Sequence, residues 1–194
     1  MAEGVGTFNH ANGDVYQGEF LQDRANGFGI YVHSNGQKYE GFWKDDMQEG
    51  TGKEELEDGS KYDGKFKQGK KWGNGTYRWA DNSIYIGSWV DNNIEGEGEY
   101  QWPDGRIYQG QWKENKLHGR GIYTWPDGRV YDGDYENDKK HGNGVYTWPD
   151  GKCYDGGWLD GKQHGEARFT NSKGRCKVGL WENGEKIKWL DKGS

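Results

Sequence analysis

"YQGQWKENKLHGRGIYTWPDG", residues 108–128, decides the fold, because it returns with little change as "YDGDYENDKKHGNGVYTWPDG" at residues 131–151. Counted from the Tyr of Tyr-x-Gly-x-aromatic, units begin at Tyr16, Tyr39, Tyr62, Tyr85, Tyr108, Tyr131 and Tyr154, always 23 residues apart. Residues 4–15 form the second half of an earlier unit, with Gly4, Gly6, Phe8, Asn12 and Gly13 in phase, and a degenerate half-copy begins at Lys177. A short uninterrupted period marks a repeat architecture, in which every residue is read by its place in the unit.

Within that unit, 26 of the 30 aromatic residues and 30 of the 35 glycines fall on only eight positions, so both residue types are structural in the first instance. The first half, "YQGQW" at 108–112, and the second, "GRGIYTW" at 119–125, alternate with period two. That alternation is the pattern of strands with one aromatic face and one wet face. Trp-Pro-Asp-Gly supplies the fixed φ, the side-chain acceptor and the left-handed residue of a tight hairpin with a glycine bulge, and Asn82 replaces that Gly in one copy. The opposite turn, "KENKLH" or similar, is polar and expected to be the longer one. The pattern predicts an all-β fold: an elongated, twisted, single-layer antiparallel β-meander of repeated hairpins, with fifteen or sixteen strands and no separate globular core. Glycines share the face of the rings, so that rings lie over backbone that has no Cβ. The expected segments are an N-terminal half-repeat at 1–15, seven repeats at 16–176, a capping half-repeat at 177–190 and a tail at 191–194.

Composition narrows the function classes. Leu, Ile, Val and Phe make up only 26 of 194 residues, and the aromatics must carry the order that these cannot. A net charge of −6 disfavours nucleic acid. No stretch approaches the roughly 20 apolar residues of a membrane span, and "MAEGVGTFNH" lacks the marks of a secretion signal, which points to the cytoplasm.

A unit of Tyr-x-Gly-x-Trp, a polar turn and Gly-x-Gly-x-Tyr-x-x-x-Asp-Gly resembles the MORN repeat (membrane occupation and recognition nexus), from residue 4 into the final half-copy. The resemblance implies an extended β-meander and a scaffold or protein-binding role at cytoskeletal and membrane-associated structures, including the axonemes of cilia and flagella. Such repeats are also appended to lipid kinases and to a lysine methyltransferase. The second copy departs from the pattern: Glu54 stands where other copies have Tyr or Phe, and Leu56 where four have Trp, which interrupts the aromatic row between Tyr31 and Tyr77. In the last copy Ala167 replaces Gly, Asn171 replaces Trp and Lys173 replaces Asp, and "KVGLWENGEKIKWL" is expected to be a capping strand whose Lys and Trp189 blunt an edge.

The candidate sites are few. His118, His141 and His164 share one unit position, but one repeat advances about 10 Å, too far for neighbouring copies to share an ion, so they are expected in turns and caps. The same spacing separates Cys153 from Cys176 and excludes a disulfide. Asp104, Asp127 and Asp150 each follow Pro in a turn, where Asp bonds its own backbone. No nucleophile and base, phosphate-cradling loop, metal site or cofactor site is indicated, and the chain reads as a non-enzyme. The remaining candidate is a partner-binding groove along Tyr77, Trp79, Tyr100, Trp102, Tyr123, Trp125, Tyr146 and Trp148, which would hold an extended or helical protein segment. Exposed strand edges also suggest homodimers or end-to-end association. The alternatives are a phosphoinositide-binding module, disfavoured by scattered basic residues, and the regulatory arm of a larger enzyme.

Overall fold

The computed structural model describes residues 1–190, and the tail expected at 191–194 lies outside them. The fold is all-β, with seventeen strands and no helix among the described residues. Two compact units divide it, Met1–Gly96 and a second from Glu97 onward, with the boundary inside β9 (Asn93–Gln101). The first unit holds β1 (Gly4–Asn9), β2 (Val15–Leu21), β3 (Arg24–Val32), β4 (Lys38–Lys44), β5 (Met47–Glu55), β6 (Lys61–Lys67), β7 (Lys70–Arg78) and β8 (Ile84–Val90). The second holds β10 (Ile107–Lys113), β11 (Lys116–Thr124), β12 (Val130–Glu136), β13 (Lys139–Thr147), β14 (Cys153–Leu159), β15 (Lys162–Thr170), β16 (Cys176–Glu182) and β17 (Glu185–Leu190). Within each unit, strands adjacent in sequence pair antiparallel, which makes each a meander of hairpins.

Two expectations need correction. The strands number seventeen because the stretch expected as one capping strand is a hairpin, β16 and β17, joined at Asn183 and Gly184. The polar turn expected to be the longer is the shorter. It has two residues, such as Glu114 and Asn115 (φ 49° and 65°), with both central φ angles positive as a type I′ turn requires. The strands run on to Lys113 and Lys116, and Asn, Asp and Gly tolerate the left-handed conformation that so tight a loop imposes. The Trp-Pro-Asp-Gly turn forms as expected: the Trp125 N–H donates to Arg129 O at 2.9 Å, the Gly128 N–H returns to Trp125 O, and Gly128 takes φ +87°.

Register explains the core. Tyr108 faces Tyr123, which faces Tyr131 across the next pairing, while Gly110 faces Gly121 and Gly121 faces Gly133. A row of rings therefore runs beside a row of glycines. Tyr108 and Tyr131 are 0% exposed, and a Cβ added at Gly121 would lie 2.3 Å from the Tyr108 hydroxyl, so the ring lies against bare backbone. Burying such a ring removes roughly 150–250 Å² from water, an upper figure of about 4–6 kcal/mol before conformational entropy is charged.

Past Gly110 the ladder breaks step. Trp112 faces Leu117, leaving His118, Gly119 and Arg120 opposite Gln111 in a bulge, and Gly119 turns there at φ +61°. Gln111 has no register partner on β11, and the Tyr108 hydroxyl donates to its carbonyl at 2.9 Å. Tyr16, Tyr39, Tyr62, Tyr85, Tyr131 and Tyr154 make the same bond three residues on, at 2.8–3.1 Å.

Turns tie successive copies together. Asp138, second residue of a type I′ turn, accepts the Leu117 N–H on its carboxylate at 2.8 Å and donates its own N–H to Leu117 O at 3.0 Å. The same exchange joins Asp46 to Ala25 and Asn92 to Lys71.

Candidate functional site

In the second unit the expected row exists as a ladder of touching rings. Centroids of Tyr100 and Trp102 are 4.5 Å apart, Trp102 and Tyr123 stack at 5.2 Å, Tyr123 and Trp125 approach to 4.3 Å, and Trp125 and Tyr146 to 5.7 Å. Tyr146 meets Trp148 at 4.6 Å, Trp148 meets Phe169, and Phe169 meets Trp189 of the terminal hairpin. The members differ in burial. Tyr123 and Tyr146 are core, whereas Tyr100, Trp102, Trp125 and Trp148 are half-buried beside the hairpin turn. In the first unit, Tyr77 and Trp79 form the equivalent pair at 4.5 Å, both half-buried.

Two of the turns add a cation to their Trp. Asp104 accepts the Arg106 backbone N–H at 3.2 Å and holds the same guanidinium by Nε at 2.7 Å, which lays it over the Trp102 ring at 5.1 Å. Arg129 repeats this with Asp127 and Trp125 at 5.3 Å. The guanidiniums also donate to the Tyr123 and Tyr146 hydroxyls. These bonds hold the Asp104 and Asp127 carboxyls below their usual range, and burial pushes the Tyr123 phenol up. The self-bonding expected of the turn aspartates is present, but their side chains also position an arginine. Arg106 and Arg129 each stand directly after the turn glycine.

Lysines on the aromatic face went unnoticed in the sequence. Lys140 places Nζ 5.0–5.3 Å from the centroids of Trp125, Tyr131, Tyr146 and Trp158, a four-ring cage. Burial lowers its pKa, while the ring faces favour its cation. Lys71, at the same unit position, lies 5.2 Å from the Tyr62 ring and 5.6 Å from Tyr77, and its Nζ meets Glu54 Oε2 at 2.6 Å. Glu54 thus interrupts the aromatic row for a reason: it neutralises a lysine one hairpin on. Both lysines stand in the phase of the Gly-x-Gly-x-Tyr strand, two residues before its first glycine, but Gln48, Ile94, Leu117 and Gln163 share that position, so the pattern alone does not single them out.

The other expected residues resolve simply. His118, His141 and His164 lie on β11, β13 and β15, beside or within the bulges and not in turns or caps, because the tight type I′ turn ends before them. His141 approaches Glu136 at 3.4 Å, and His164 Nδ1 is buried without a partner. Cys153 and Cys176 are free thiols facing Thr170 from its two sides, a separation of two strand spacings, or about 10 Å. Among the described residues no group of three or more His, Cys, Asp or Glu is placed to hold a metal ion.

The family model for the MORN repeat matches residues 16–38, 39–61, 62–84, 85–105, 108–128, 131–153 and 154–174. The chain belongs to the MORN repeat family. Its seven matched MORN repeats begin at the residues given by the Tyr-x-Gly-x-aromatic count. No protein of curated function matches these MORN repeats in sequence. Among solved structures, the TCP domain of Drosophila melanogaster SAS-4 (dCPAP), in complex with a proline-rich motif of Ana2 (dSTIL), is similar at TM-score 0.50 and 11% identity, over 90% of this chain and 88% of that one. The G-box domain of the microcephaly protein CPAP is similar at TM-score 0.55 and 12% identity, over 97% of this chain and 100% of that one. At such identities the likeness is one of fold.

Proposed function

We propose that this MORN repeat chain is a non-enzymatic scaffold that holds an extended segment of a protein partner along its aromatic ladder. The observation that carries the reading is the half-burial of Trp102, Trp125 and Trp148, each held between neighbouring rings of the ladder yet still partly accessible to solvent. Large rigid rings with polar edges are the usual anchors of a binding surface, and a guanidinium fixed beside two of them limits the ordering cost on binding. Extended proline-rich segments dock on aromatic rows of this kind, and the similar SAS-4 domain is seen with a proline-rich motif.

The setting we infer is a cytoskeletal assembly, ciliary or flagellar. Support comes from the family and from the similar CPAP domain, for which a role in centriole elongation is suggested. A phosphoinositide surface is less favoured, because Arg24, Lys53, Lys70, Arg120 and Lys139 are each engaged by a carboxylate. Strand edges make self-association an accompanying proposal, which light scattering across micromolar concentrations tests. The scaffold reading is tested by crosslinking affinity purification from the native cell, comparing the parent with the double variant Trp102→Ala, Trp125→Ala. Loss of the parent's crosslinked partner with an intact far-UV spectrum is expected. Retention of that partner, or an unfolded variant, would sink the proposal.

A further inference from the structure

One position of the unit holds lysine in two full copies, as Lys71 and Lys140, whereas Gln48, Ile94, Leu117 and Gln163 fill it with other long side chains. The same position is occupied by Ala25 in the first full copy. Around Ala25 a hollow of about 330 Å³ opens, lined by His10, Tyr16, Tyr31 and Trp43 together with Asp23 and Asp46. The first four are the counterparts, five repeats earlier, of Trp125, Tyr131, Tyr146 and Trp158, the cage of Lys140.

The two cages agree in detail. Tyr16 and Trp43 centroids are 5.4 Å apart against 5.2 Å for Tyr131 and Trp158. Tyr31 and Trp43 are 6.1 Å apart against 6.0 Å for Tyr146 and Trp158, and His10 and Tyr31 are 5.5 Å apart against 5.7 Å for Trp125 and Tyr146. What differs is the occupant and the charge. Alanine leaves the space that a lysine side chain fills in the later copy. Asp46, moreover, stands at the unit position that Gly161 holds beside the Lys140 cage. The Tyr31 hydroxyl donates to buried Asp14 at 2.8 Å, which places another negative charge behind the ring.

We propose that the hollow above Ala25 is a receptor for the ammonium group of a lysine side chain from a protein partner. The cage is open and anionic, and a sister copy shows the same rings closed on the same chemical group. Asp46 accepts the Ala25 N–H, and Asp23 accepts the Ala2 N–H and lies 3.9 Å from the amino terminus, so both carboxylates are held at the rim of the hollow. An unmodified ammonium brings them a positive charge and three N–H donors, whereas an acetylated lysine keeps one N–H and no charge. This site is separate from the tryptophan ladder of the second unit and stands or falls independently of it.

The full chain is titrated with n-butylammonium and with its neutral acetylated analogue N-butylacetamide at matched ionic strength, and then with acetyl-Gly-Lys-Gly-amide and its Nε-acetylated form. The readout is the Trp43 indole N–H resonance. Saturable shifts with the two cations and none with the two neutral compounds are expected. Ala25→Lys supplies the missing side chain in cis and should weaken cation binding by about tenfold or more, the scale of a desolvated cation–π contact. Lys140→Ala should create a second saturable response, at the Trp158 indole, that the parent lacks. Equal shifts with the neutral compounds, binding of the small amine without the lysine peptide, or unchanged affinity in a folded Ala25→Lys chain would each overturn the proposal.

Discussion

The Tyr108 hydroxyl donates to the carbonyl of Gln111, the residue that the bulge in the β10–β11 pairing leaves without a cross-strand partner. Local sequence therefore repairs a defect made by tertiary register, three residues from the ring that does it. Tyr108→Phe keeps the ring and strands the carbonyl. It should cost about 1–2 kcal/mol, read as a fall of about 3–6 °C in the thermal midpoint.

Tyr135 gives the opposite sign. Its hydroxyl is buried and has no hydrogen-bond partner, whereas the tryptophans at the same unit position, such as Trp112 and Trp158, donate their indole N–H to a glycine carbonyl in the preceding copy. Tyr135→Phe should raise stability by up to about 1 kcal/mol by removing an unpaired polar group. Phe66 already occupies this position, fully packed, in another copy. Chemical denaturation of the two phenylalanine variants side by side checks the contrast, and a loss at both sites would refute it.

Gly121→Ala puts a methyl group 2.3 Å from the Tyr108 hydroxyl. A cost of about 1–3 kcal/mol is expected from overpacking. The chain itself bounds that cost: Ala167 holds the equivalent position, and Tyr154 still reaches Gly157 O at 2.8 Å. Ala167→Gly should accordingly be close to neutral. A denaturant series on both variants decides.

Glu54 and Lys71 form a pair with side chains only 13% and 15% exposed. Removing one partner leaves the other charge half-buried, so Lys71→Met should destabilise by about 2–4 kcal/mol. Glu54→Tyr combined with Lys71→Leu restores residue types that sister copies carry and should recover most of that loss. Additive destabilisation in the double variant would show that the pair is not coupled.

High pH should unfold the chain. Burial pushes the Tyr16 and Tyr154 phenols up to about 12, and those of Tyr39, Tyr62, Tyr108 and Tyr131 higher. A folded pKa above the unfolded value near 10 means that the fold favours the neutral phenol. Its contribution is complete below pH 10 and is lost as pH climbs through the folded values. Phenolate absorbance at 295 nm should rise together with loss of the far-UV signal. Smooth ionisation of all tyrosines near pH 10 in an intact sheet would contradict this.

The strands and the ring-over-glycine packing were legible in the sequence because a 23-residue period repeats each signal often enough to stand out. The bulge was not. Gly119 and Gly121 look alike in Gly-x-Gly, yet one is needed for its positive φ and the other for the absence of a Cβ. The type I′ turn was misjudged for a related reason: Lys113 and Lys116 are polar, and polarity reads as loop although they are the last pair of a ladder. At the candidate site the Tyr and Trp rows could be found by pattern. Lys71, Lys140, Arg106 and Arg129 could not, since their role lies in which rings surround them, and that depends on register across hairpins.

The exchange of hydrogen bonds between Asp138 and Leu117, repeated by Asp46 with Ala25 and by Asn92 with Lys71, sets a rule for change of length. A single inserted residue would carry one turn out of reach of its predecessor and send every ring beyond it to the opposite face. Growth or loss is tolerated only in steps of one whole copy, as on a rack whose teeth admit no fractional advance.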